Sequence, residues 1–459
     1  MSAIDVRRDA RPAPGPLRPY HFPTPRRHVL ANGLQVVAAE VHAFPVVTVG
    51  IVLPSGAVAD PVGKGGLASL TIALLESGAA GQDTAQIARR VDGLGLSMES
   101  FASWDLAEAG FTCLAERLDA GLGVLADMVL RPEFPEAEVE RLRAQRLGSL
   151  RQTRAEAGAL ATEVAMPLVY GPNSQYARPM GGTIASVSSI GREDVAAFHD
   201  AHYRPQGATL FAAGDVTLEE LVALAERHFA GWSGAQEALP DPGPLAEHSG
   251  LRFVVADRPG SVQSAIRMAH RGPARGTPDY FGVLVMNAIL GGTFSSRINL
   301  NLRERLGYTY GASTVFVMRR SSGLFTAATA VQTEVTAPSV AEILRDVRGM
   351  RESAASEQEL SDARTYLAGS FPVSVQTTDG VAAKLETLLI HGLPDDYYDT
   401  YRERILAVGA DEVLAAARAH LLPEAAVVVV AGDAARVAPE LEALGQGPVE
   451  VVDPAEVLD

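Results

Sequence analysis

Apolar residues recur with two different periods along the chain, and the switches between them set the order of elements. Period-two or continuously apolar runs bounded by turn residues predict strands over 27–39, interrupted by the Asn32-Gly33 turn, and over 46–53, 96–103 and 107–113. Helical spacing predicts helices over 66–76 and 84–94, then long helices from about 117 to 168. Strands and helices mixed without regular βαβ alternation imply an α+β fold, each antiparallel-rich sheet having helices on one face.

The pattern occurs twice. An offset of 218 residues lays Gly191–Pro205 on Gly409–Pro423 and Ala213-Gly214-Asp215 on Ala431-Gly432-Asp433, with ten of the 25 positions from 191 to 215 identical. Each copy reads as a helix with an acidic first turn, a Pro-marked turn, a buried strand (208–213 and 426–431) and a Gly-Asp turn into another helix. The segment 233–250, rich in Pro and Gly and without apolar periodicity, reads as a linker between two halves, 24–232 and 251–440. Residues 1–23 and 441–459 are expected to be tails.

Composition narrows the function. The 459 residues are 47% hydrophobic, and 39 basic against 55 acidic side chains give a net charge of −16. Only Lys64 and Lys384 are lysines, so no polybasic stripe is available for nucleic acid or anionic lipid. The longest charge-free apolar stretches, such as 44–59, are broken by Pro and Gly and fall short of a membrane span. The N-terminal arginines and prolines are followed by no apolar segment of signal type, so a cytoplasmic location is expected. A lone cysteine, Cys113, permits neither an intrachain disulfide nor a thiolate metal site and suits a reducing compartment.

Particular strings point to a family. Gly66-Leu-Ala-Ser69-Leu-Thr-Ile72-Ala73-Leu-Leu-Glu-Ser-Gly78 resembles the zinc-binding helix of the pitrilysin/insulinase peptidases, in which Gly-Leu-Ala precedes H-x-x-E-H. In the second half, Gly291-Gly292-Thr-Phe-Ser-Ser-Arg-Ile and Leu302-Arg303-Glu-Arg-Leu-Gly-Tyr308-Thr-Tyr310 are similar to the family's substrate-binding Arg/Tyr segment. H-x-x-E-H chemistry needs two imidazoles one turn apart on one zinc ion and a Glu as general base. Here those positions hold Ser69, Ala73 and Ile72, and the position of the distal carboxylate ligand falls at Ser149. Hydroxyls are weak zinc ligands, so no metal is expected in this chain. A rival metal set, Glu193, His199 and His202 on one helix, is disfavoured by the repeat: His202 recurs as His420, but His199 becomes Ala417. A nucleotide loop at Gly291-Gly292-Thr293 is disfavoured too, because the Lys and second Gly of such loops are missing.

The resemblance implies one subunit of a two-subunit zinc endopeptidase related to mitochondrial processing peptidase, built of two similar halves around a chamber. An H-x-x-E-H homologue would carry the zinc. Arg303 and Tyr310 of this chain would stabilise the developing oxyanion in trans, with Tyr308 competing for the tyrosine role. Gly291 and Gly292 would form a flexible substrate-accommodating segment beside the cleft. An unfolded peptide would bind as an added strand on a sheet edge. The alternative is an inert structural or peptide-binding relative like the core proteins of respiratory complexes.

Overall fold

The computed structural model describes residues 15, 20–235, 237–243, 245 and 250–454. Its longer strands are β1 (Arg26–Val29), β2 (Gln35–Glu40), β3 (Val46–Leu53), β4 (Ser97–Ala102), β5 (Ala107–Leu114), β6 (Thr209–Gly214), β7 (Arg252–Asp257), β8 (Gln263–Gly272), β9 (Ala312–Val317), β10 (Gly323–Gln332), β11 (Val427–Gly432) and β12 (Val449–Val452). They form two six-stranded sheets, ordered β1-β2-β6-β3-β5-β4 and β9-β10-β8-β11-β7-β12. Within the first, β2 runs parallel to β6 and the other pairs are antiparallel. The second repeats this frame: β7 lies parallel to β11, β11 antiparallel to β8, β8 antiparallel to β10, and β10 antiparallel to the edge strand β9.

The principal helices are α1 (Leu67–Leu74), α2 (Thr84–Leu94), α3 (Leu118–Leu130), α4 (Glu136–Ala155), α5 (Ala157–Tyr170), α6 (Arg192–His202), α7 (Leu218–Phe229), α8 (Tyr280–Asn287), α9 (Thr336–Glu352), α10 (Glu357–Ser374), α11 (Thr378–His391), α12 (Ala410–His420) and α13 (Ala434–Ala443). Helices α6 and α12 begin at 192 and 410, strands β6 and β11 at 209 and 427, each pair 218 residues apart as the sequence repeat requires. Helix starts follow the local chemistry: Asp83 with Gln86 caps α2 and Ser356 with Glu359 caps α10 reciprocally.

The sheets are covered on both faces, where the pattern implied one. Each half packs its own helices on one face, and the other face receives a helix from the opposite half. Helix α5 turns Leu160, Ala161, Val164 and Ala165 onto Ala265, Ala269, Val427 and Val429 of the second sheet. In return α11 lays Val381, Ala382, Leu385 and Leu388 against Val37, Ala39, Phe211 and Ala213 of the first. Spacing of i, i+4 on α5 and small sheet residues let backbone and helix approach closely. Periodicity identifies a buried face without naming the sheet it covers, so the exchange was not visible in the pattern.

The boundaries differ from expectation in three places. Phe22 is 3% exposed with its ring tilted against Tyr398, so the chain joins the core before residue 24; residues 1–14 and 16–19 of the expected tail lie outside the described residues. The expected C-terminal tail contains the end of α13 and strand β12, which pairs with β7; its Val-Glu-Val-Val sequence does not alternate strictly and so gave no strand signal. The described part of the linker is tied to the first half, where Pro242 O accepts from Gln175 N and Ser174 Oγ.

Polar groups also bridge the halves. Arg319, 6% exposed, lies 3.6 Å from the Trp104 ring centroid and 4.9 Å from that of Tyr176, so aromatic faces and nearby Asp105 compensate its charge. Glu108 on β5 faces Glu386 on α11; burial and that neighbour push Glu108 up to about 9, and Glu386 is raised as well. The folded chain therefore keeps protons that the unfolded chain has lost above the ordinary carboxylate range, and stability falls as pH rises toward about 9. Each retained proton contributes a slope of up to about 1.4 kcal/mol per pH unit. Urea unfolding from pH 5 to 9 should show this decline, and Glu108→Gln should reduce the slope and stabilise the protein at pH 8. Equal slopes for the two proteins would contradict the shared-proton account.

Candidate functional site

The residues at the positions of a zinc motif meet around one cavity. Helix α1 begins after Gly66, and buried Asp60 accepts from Gly66 N and Ala68 N, each at 2.7 Å. Burial raises that carboxyl to about 7 despite these bonds. Ser69 and Ala73 stand one turn apart on the outward face of α1, whereas Ile72 is 1% exposed in the core of the first half. Helix α4 brings Leu142, Arg146 and Ser149 across from them. Together with Gln145, Met180 and Gly181 these groups line a cavity of about 290 Å3. Ser69, Ala73 and Ser149 are thus brought together; Ile72 is not.

Sequence reasoning missed Arg146, although it lies three residues before Ser149 and so on the same helical face. Its Nε donates to Gly181 O at 2.8 Å, and both terminal nitrogens lack a hydrogen-bond partner among the described residues. Burial lowers its pKa, with Glu163 on α5 acting in the opposite direction. Gly181 makes the placement possible, because a Cβ there would sit 1.0 Å from Arg146 Nη2. Zinc does not fit this set: two hydroxyls and a methyl replace imidazole and carboxylate, and a guanidinium adds positive charge.

Among the described residues no group of three or more His, Cys, Asp or Glu could hold a metal ion. In the rival set, His199 Nε2 is 2.9 Å from Val129 O at the end of α3, and burial lowers the pKa of both His199 and His202. His420, the repeat partner of His202, pairs with Asp279 at 2.6 Å. Cys113 is buried, which pushes its thiol up to about 11 and leaves it unreactive.

Arg303 and Tyr310 sit elsewhere, on the second half, and line no part of that cavity. From α8 the chain continues through π-helical turns at Ala288–Gly292 and Leu300–Arg305. The run Tyr280–Arg305 is long and apolar enough to cross a membrane by length and composition, with mean hydropathy 1.3 over its most apolar 18 residues, but 61% of that stretch is buried in the fold. Its polar anchors are specific: Arg297 binds Glu359 through two nitrogens and holds that carboxyl down to about 2, and Asn301 Nδ2 reaches Glu342 and Asp346. Leu302 is buried beside them, which turns Arg303 outward, stacked 4.4 Å over Phe294 and 3.5 Å from Glu304.

Thr309 Oγ1 donates to Ala330 O, pinning the following loop to β10; Tyr308 packs against the core and Tyr310 is 99% exposed. Gly291 and Gly292 are not a loose segment. A Cβ on Gly291 would lie 2.6 Å from Thr314 N, and one on Gly292 2.7 Å from Asn287 Nδ2, so both glycines permit tight packing against β9 and its Asn287–Thr314 pairing.

Comparisons with known proteins point to one family. The sequence model of the insulinase family, peptidase family M16, matches residues 35–169, and that of the peptidase M16 inactive domain matches residues 189–367. An uncharacterized zinc protease of Streptomyces coelicolor is 25% identical over 412 residues, 86% of this chain and 87% of the relative. One of Mycobacterium tuberculosis is 25% identical over 418 residues, 90% and 94% of the two chains. The crystal structure of a peptidase M16 inactive domain from Pseudomonas fluorescens superposes with TM-score 0.84 at 26% identity, over 89% of this chain and 98% of that one. A protease from Helicobacter pylori gives TM-score 0.83 at 18% identity, over 89% and 100%, a likeness of fold.

The purified chain should carry well under one zinc per molecule after mild dialysis, measured by elemental analysis, because the cavity offers a cation where a metal would need anionic or imidazole ligands. One tightly held equivalent would overturn this assignment of Ser69, Ala73, Ser149 and Arg146.

Proposed function

The chain belongs to peptidase family M16, and we propose that within it this protein is the non-zinc-binding subunit of a heteromeric, cytoplasmic zinc metalloendopeptidase. The observation that carries the reading is the outward presentation of Arg303 and Tyr310. A buried Leu302, the Asn301 and Arg297 anchors and the Thr309 pin hold in place a segment that presents a fully exposed Tyr310 and, stacked on Phe294 beside Glu304, the Arg303 guanidinium. Such donors suit a carbonyl oxygen that gains negative charge during peptide hydrolysis at a site on another subunit. The zinc would belong to an H-x-x-E-H homologue, and a chamber would be closed between subunits. An unfolded peptide would enter it as an added strand, with the tightly packed Gly291-Gly292 turn shaping the nearby wall.

The test needs the reconstituted complex with such a homologue. Arg303→Ala and Tyr310→Phe should leave folding and assembly intact while lowering turnover roughly 10²-fold to 10³-fold, the usual loss for one oxyanion donor, with KM changing little. A larger loss for Tyr308→Phe than for Tyr310→Phe would move the tyrosine role to Tyr308. Wild-type cleavage by both Arg303→Ala and Tyr310→Phe complexes would refute catalysis in trans and leave an inert, core-protein-like scaffold.

A further inference from the structure

The cavity between α1 and α4 has features of a binding site in its own right. Its floor and sides are short and apolar: Leu70, Ala73, Leu142 and Val187. Its polar groups converge from one side: the half-buried Arg146 guanidinium with two unpartnered terminal nitrogens, the Ser149 hydroxyl, the Gln145 amide and Ser69 Oγ, which donates to Met180 O at 3.0 Å. A fork of N–H donors beside a short hydrophobic wall matches a planar carboxylate attached to a small aliphatic body. A volume of about 290 Å3 limits the guest to roughly one small residue.

A neighbouring element suggests how such a group would arrive. Ser69, Ala73 and Glu76 lie at i, i+4 and i+7, one line along α1 and the turn that ends it. At the far end of that line Glu76 accepts from Ser100 Oγ on β4, at 3.2 Å. Strand β4 is terminal in its sheet, and no described strand pairs with its outer edge. Ser69 and Glu76 are about 10 Å apart by helical rise. An extended chain crosses that distance in about three residues. A peptide paired with the β4 edge can therefore place its end in the cavity.

We infer that the cavity lined by Arg146, Ser69, Ser149 and Ala73 binds a carboxylate on a short aliphatic body, as at the C-terminus of a peptide lying along β4. The site uses this chain alone. It shares with the proposed function the expectation of a peptide ligand, and it requires neither the partner subunit nor Arg303 and Tyr310. A free small carboxylic acid presents the same chemistry to Arg146 and differs only in having nothing to pair with β4.

Ligand-observed NMR and calorimetry on the isolated full-length chain test this without any activity readout. The probes are acetyl-Ala-Ala-Val with a free C-terminus, the same peptide as its C-terminal amide, and isobutyrate. The acid peptide should bind saturably below about 10 mM, and the amide roughly tenfold or more weaker, since it loses the charge-assisted pair. Arg146→Gln should abolish the preference for acid over amide. Ala73→Leu, a change at an exposed position that fills the cavity and leaves Arg146 in place, should also block binding, with unchanged thermal unfolding showing that each variant folds. Isobutyrate binding as tightly as the acid peptide would keep the carboxylate site and assign it to free acids. Equal affinity for acid and amide, undiminished binding by Arg146→Gln, or no binding of either acid would overturn the inference, whatever the partner-dependent assay gives.

Discussion

The structure depends on a reciprocal exchange of helices between its halves. Neither six-stranded sheet can leave its second face bare, because both faces carry apolar side chains: Val36 and Val37 on β2, or Val428 and Val429 on β11, point opposite ways and all four are buried. The missing cover comes from the other half, α5 for the second sheet and α11 for the first. Two similar units joined in this way act as one body, since opening them would expose two apolar faces together. The caged Arg319 and the Glu108–Glu386 contact lie in this same seam, where low polarity makes each of them sensitive to its surroundings.

That rigidity explains how two surface features can be held so firmly. Helix α4 carries Arg146 and leads directly into α5, which is clamped on the opposite sheet, so the wall of the cavity is fixed from both halves. The Arg303 segment is fixed through α10, whose Glu359 binds Arg297 and whose chain continues into α11 on the first sheet. Each feature therefore sits next to an exchanged helix. The two differ in chemistry: one half has the half-buried Arg146 guanidinium facing its motif helix, the other an arginine stacked on Phe294 and a tyrosine turned out to solvent.

Much of the fold was legible because its signals are local. Val46–Leu53 and Thr84–Leu94 read correctly from apolar runs and turn residues, and the Gly191–Asp215 repeat located both copies of the α6–β6 unit. The family resemblance grouped Ser69, Ile72, Ala73 and Ser149; the cavity unites Ser69, Ala73 and Ser149, whereas Ile72 faces the core. What escaped reading was non-local. No periodicity tells which sheet α5 covers, and nothing in the spacing of Arg141, Arg143, Arg146, Arg151 and Arg154 singles out Arg146. It is selected by Gly181, whose missing side chain admits the guanidinium 35 residues away in sequence. The glycines at 291 and 292 misled for a related reason: glycine marks either mobility or close approach, and only the position of Thr314 decides between them.

The tyrosines show how the same physics assigns presentation. Tyr308 and Tyr310 are identical in composition and two residues apart, so sequence treats them alike. The hydroxyl of Thr309 between them is anchored to Ala330 O and shares contacts with Thr329, which fixes the loop against β10. With the loop pinned at its middle residue, Tyr308 leans onto the core and Tyr310 must project into solvent. An aromatic side chain 99% exposed gains nothing from the fold that carries it. Its orientation is set by the pinned Thr309, and that of Arg303 by the buried Leu302 before it. The same segment thus presents Tyr310 fully exposed and Arg303 stacked on Phe294 beside Glu304.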